Sequence, residues 1–119
     1  MRPDLSFAAV ALIAAITVPS VALAHHGWSQ YEGDQPVTLT GTIESASYEN
    51  PHGTLRLKTD DRTWTVVLAP PYRMESRGLA RAALMPGAAT SVTGYVHRSG
   101  SNELRAERIT VDGKTTELR

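Results

Sequence analysis

The chain has no cysteine. That excludes a disulfide staple, a thiolate metal ligand and a thiol nucleophile, so the folded part must be held by its core alone. It also lacks a surplus of either charge, with 12 Lys and Arg against 12 Asp and Glu. Phosphate binding relies on a basic face, and here the cations from Lys58 to Arg105 are scattered among acids, which argues against a nucleic-acid partner. No apolar run reaches the roughly 20 residues needed to span a bilayer. Catalytic signatures are missing as well. There is no phosphate-cradling glycine loop and no nucleophile elbow around Ser29, Ser45 or Ser47. Glu44, Glu49 and Glu75 are dispersed and offer no matched acid and base. The expectation is a protein that is not an enzyme.

The N-terminus has the layout of a secretory signal. Arg2 starts it, partly offset by Asp4, and an apolar run from Leu5 to Val18 follows, interrupted only by Ser6 and Thr17. Pro19-Ser20 breaks the run, and Ala22-Leu23-Ala24 supplies the small-x-small pattern of a cleavage site. The sequence therefore predicts a signal peptide over 1–24, an exported, periplasmic or secreted product beginning at His25, and no membrane attachment after cleavage. About 95 residues then remain, enough for one domain.

Residues 25–36 read as an irregular N-terminal arm, and 37–119 as the folded domain. Strict alternation from Val37 to Glu44 predicts a half-buried strand, with Asn50-Pro51-His52-Gly53 as a turn beyond it. Leu55 and Leu57 face inward on a second strand, opposite Arg56 and Lys58. Asp60-Asp61-Arg62 makes a hairpin turn, and Trp64, Val66 and Leu68 give a third strand its core face. After Pro70-Pro71 the composition from Tyr72 to Leu84 favours a helix that Gly78 shortens or breaks. Thr90 to Arg98 alternates again, with Val92, Gly94 and Val96 against Thr93, Tyr95 and His97. Ser99 to Asn102 is a turn, and Glu103 to Val111 a fifth strand whose apolar phase slips between Ala106 and Ile109, implying a bulge. Residues 112–119 are a polar tail with room for a short pairing at Thr115 to Leu118. Three strands, a helix and two strands is the order of a five-stranded OB-like Greek-key barrel. The class is all-β with one short helix, and a bend at Gly41 suits the long first strand. A small open β-sandwich is the competing arrangement.

Four histidines are present: His25, His26, His52 and His97. Once cleaved, His25 offers an α-amine and a ring nitrogen that can chelate one metal. The amine's pKa of about 7.7–8.0 makes its deprotonation at neutral pH inexpensive. A third nitrogen from His52, or from His26, completes a set that suits Cu(II). The alternative reading of the same residues is an incidental arm and a surface turn, where a lone histidine more often caps or faces solvent than binds a metal. His97 alternates with Val96 and points outward. Trp28 can cover a barrel end or flank a ligand. Arg73, Arg77 and Arg81 recur at four-residue spacing, which would line one helical face, solvated or open to an anion.

Taken together, Ala24-His25-His26-Gly27-Trp28, Pro36 to Ile43, Glu49-Asn50-Pro51-His52, Arg77-Gly78-Leu79, Leu84 to Gly87 and Val92 to Tyr95 resemble a family of uncharacterised exported bacterial proteins. That family starts its mature chain with His-His-Ser-Phe and carries an Asn-Pro-His turn. Gly27-Trp28 here replaces its Ser-Phe. The resemblance pairs the His-His start with the turn, which implies a shared metal site at His25, His26 and His52. Two functions follow as expectations. One is a copper-binding exported protein. The other is an OB-type module that binds a small ligand, peptide or partner protein without metal, through Arg56, Lys58, Thr63 and Thr65.

Overall fold

A computed structural model of the chain describes residues 27–119. The expected signal peptide, His25 and His26 lie outside the described residues. Six strands carry the fold: β1 (Val37–Ser47), β2 (Thr54–Lys58), β3 (Thr63–Val67), β4 (Ala89–Val96), β5 (Glu103–Val111) and β6 (Lys114–Glu117). Their order is β3-β2-β1-β4-β5-β6, and β3 also pairs with β5. That last pairing is parallel, from Thr65↔Glu103 to Val67↔Arg105, and it closes five strands into a barrel with β6 as an outer addition to β5. Closure removes the open edges that a sandwich would have to protect. The fold is the OB-like barrel that the element order predicts.

β1 serves both halves of the barrel. Val37 to Thr42 pair with β4, and Thr42 to Ser47 pair with β2. The strand turns between its two partners through a bulge at Glu44, the extra residue between Ile43 and Ser45. Gly41 sits just before the switch for a steric reason. A Cβ there would lie 2.0 Å from the Lys58 carbonyl oxygen, so the neighbouring backbone passes where a side chain would be. The phase slip in β5 is also present: Thr93 faces Arg108 while Gly94 faces Ala106, leaving Glu107 as the extra residue. Leu104 and Ala106 point inward before the bulge, Ile109 and Val111 after it.

The core collects Ile43, Leu55, Leu57, Val66, Leu68, Val92, Leu104 and Ile109, all nearly inaccessible. α1 (Pro71–Ser76) contributes Met74 to it, and the segment flanking a single 3-10 turn at Arg81–Ala83 contributes Leu79 and Leu84. Gly78, at φ +86°, separates the two, as an L residue would resist that backbone.

Several side chains depart from the alternation. Trp64 packs against the core but remains half-buried beneath the Arg62 guanidinium, 5.9 Å from its ring centroid. Tyr95, on the nominal outer face, is buried. The arm explains this: Tyr31 bridges His97, the Glu32 N–H donates to the Val96 carbonyl, and the Arg98 N–H donates to that of Gln30. The arm is thus laid over the outside of β4 and β5. Arg73, Arg77 and Arg81 do not share a helical face, because α1 stops at Ser76. Arg73 donates to the Leu118 carbonyl, Arg77 to those of Glu117 and Arg119, and Arg81 to that of Tyr48. They fasten the C-terminal segment and the end of β1 rather than form an anion stripe. The short pairing expected in the polar tail is present as β6, a hairpin strand joined to β5 through Asp112 (φ +47°) and Gly113 (φ +85°).

Candidate functional site

Arg105 stands out among the described residues as a buried charge. Its neighbours Leu104 and Ala106 face the core, so strand alternation directs its side chain outward. It is nevertheless 7% exposed, the one charged side chain that is buried among the described residues. The arm covers it. Its guanidinium carbon lies 4.3 Å from the centroid of Trp28, and Gly27 lies against Nη1 so closely that a Cβ there would come within 2.5 Å of it. Trp28 is held in turn by edge-on contacts with Tyr31 and Tyr95, and the Arg119 guanidinium lies 4.5 Å from the same ring.

The Asn50-Pro51-His52 turn, whose Asn50–Pro51 peptide is cis, brings His52 to the same point. Arg105 Nη2 is 3.4 Å from His52 Nε2. A guanidinium can only donate, so Nε2 accepts and the ring proton belongs on Nδ1. Burial pushes the His52 pKa below its ordinary value, and the charges of Arg105 and Arg73 push it further the same way. The imidazole is therefore neutral at pH 7, the form in which it ligates metals. Burial also lowers the Arg105 pKa, with Arg73 and Arg119 adding to the effect.

The nearby acids are engaged elsewhere. Glu103 accepts from Tyr31 Oη at 2.9 Å, and its carboxylate is 4.0 Å from His97 Nε2. Glu107, the bulge residue, accepts from Tyr95 Oη at 3.0 Å and pairs with Arg108 at 3.5 Å. Burial and the bond to Glu103 push the Tyr31 phenol up to about 12. His97, edge-on to Tyr31, belongs to this arm clasp and not to the His52 neighbourhood.

Of the expected metal ligands, His52 is thus placed, and His25 and His26 precede the first described residue. Gly27, next in the chain after His26, shares the Arg105 guanidinium with His52. Among the described residues no group of three or more His, Asp or Glu could hold a metal ion. The residues of the alternative face lie together on β2 and β3: Arg56 donates to Thr65, Thr63 donates to Glu44, and Lys58 is exposed. Ser45 to Ser47, Thr54 to Arg56 and Thr65 line a shallow, open depression there. Sequence reasoning missed Arg105 and Arg119. An arginine on an outward strand position gives no signal of burial, which the overlying arm imposes.

The profile of a family of unknown function, DUF6152, matches residues 12–106. The chain belongs to that family. The match covers the arm, the His52 turn and the strands up to the middle of β5, so this DUF6152 chain carries the whole candidate site except Arg119 inside the matched region. No curated protein matches it. Among solved structures, the crystal structure of TiaS in complex with a tRNA and ATP is similar at 16% identity and a TM-score of 0.50, over 74% of this chain. The chain spans 19% of the length of that protein, and the likeness concerns the fold alone.

Proposed function

We propose that this DUF6152 chain is an exported small binding protein that takes up copper through the α-amine and ring of His25 together with His52, with His26 as a further donor. The observation that carries the reading is the meeting of Gly27 and His52 at one guanidinium. Two residues of extended chain reach about 7 Å, a length that would allow His25 to meet the His52 ring. Amine, His25 ring and His52 ring would supply three nitrogens, a set that favours Cu(II) over the other divalent first-row metals. Coordination through His52 Nε2 would replace its long contact with Arg105, whereas coordination through Nδ1 would move the ring proton to Nε2. The role would be sequestration or delivery. Among those residues, no helix is long and apolar enough to cross a membrane.

The test is the copper affinity of the protein matured at His25, compared with His52→Ala. Loss of a ligand should weaken binding at least tenfold, about 1.4 kcal/mol. Unchanged affinity would remove His52 from the site. The depression between β1, β2 and β3 supports the second reading, a metal-independent ligand on the barrel face. A ligand footprint on Arg56 and Thr65 that persists in metal-free protein would favour it.

A further inference from the structure

We propose that Arg105, framed by Trp28, Arg119 and His52, is the anchor of a binding site for a small carboxylate ligand. A buried guanidinium normally has a carboxylate partner, because an unpaired charge removed from water costs several kcal/mol, and the fork geometry suits two carboxylate oxygens. Among the described residues, no carboxylate lies within ion-pair distance of Arg105. Its Nε is buried with no hydrogen-bond partner among them, and the one side-chain hydrogen bond of its guanidinium, to His52, is long at 3.4 Å. The two acids beside it on β5 are turned to tyrosines. Arg119, the second cation on Trp28, reaches Glu107 only at 4.0 Å.

The surroundings favour an anion with a flat head group. Two guanidinium groups stand over one indole ring, giving positive charge beside an aromatic wall. Gly27 keeps the chain thin over Nη1, where any side chain would strike the guanidinium. The fork suits carboxylate and phosphate alike, and the close cover of Nη1 by Gly27 favours the smaller, planar carboxylate. The site needs no metal, although it shares His52 and the Gly27 approach with the copper reading. An anion here would also offset the positive charge that Arg105 places beside His52.

The test uses protein matured at His25, freed of metal on a chelating resin, in a Trp64→Phe background so that Trp28 alone reports. Acetate, oxalate and inorganic phosphate are titrated at constant ionic strength, read by fluorescence and calorimetry. The expected result is saturable binding of a carboxylate, weakened at least tenfold in Arg105→Lys, which keeps the charge but loses the fork. Arg119→Gln, altered at a half-exposed side chain, should weaken it several-fold and guards against misfolding of the Arg105 variant. No saturable change up to about 10 mM, equal binding to Arg105→Lys, or a preference for phosphate would overturn the proposal.

Discussion

Tyr31 shows how one hydroxyl can hold an otherwise irregular arm. Its ring is buried, its backbone bridges His97, and its phenol donates to Glu103. The phenol is pushed up to about 12 by burial and by that carboxylate, against an ordinary value of 10. The sign follows from proton counting. Between those two values the unfolded chain has lost the proton and the folded chain keeps it, so stability falls as pH rises. The contribution is complete below pH 10 and is lost through about pH 12. In Tyr31→Phe the decline in melting temperature across that window should be shallower than in the unaltered protein. An unchanged slope would mean that other groups carry the alkaline loss. Tyr95 makes a related point about legibility. Its alternation with Val96 implies exposure, but Trp28 of the arm, invisible to strand periodicity, and Glu107 on β5 cover it.

Strands with clean alternation are readable because one face has to be apolar. Leu55 and Leu57 in β2 fall on the expected side, and the slip in β5 marks a real bulge at Glu107. Elements defined by backbone approach are less legible. Gly41 lies where the first strand changes partners, as a bend there requires, but the tighter constraint is the Lys58 carbonyl. Gly94 is similar, since a Cβ there would meet the Arg105 carbonyl oxygen at 2.0 Å. Gly41→Ala and Gly94→Ala should each destabilise the barrel by about 3 kcal/mol or more, because backbone rather than a movable side chain must give way. Denaturant unfolding measures this, and a loss below about 1 kcal/mol would show that the strands can shift. The hairpin to β6 is also written in the sequence, as Asp112-Gly113, a pair that tolerates two successive positive φ values. The polarity of residues 112–119 obscures it. Helical spacing misleads in the opposite sense, because Arg73, Arg77 and Arg81 keep a four-residue rhythm across a glycine beyond the end of the helix.

At the scale of the molecule, the barrel brings three distant pieces of chain to one place on β5: the start of the arm, the Asn-Pro-His turn and the C-terminal arginine. Half of that arrangement is legible. His52 stands out as a histidine in a defined turn, and its approach to the arm is a condition that the sequence can state but not meet. Arg105 is not legible, since its burial arises from the packing of the arm over β5. The proposed copper uptake depends on a free amine at His25. The most direct measurement is a Cu(II) titration of protein whose intact mass shows His25 as residue one, beside a sample that keeps one extra residue before it. Tight one-to-one binding that is lost in the extended sample is the predicted result. Equal binding in both, or none in either, would contradict it.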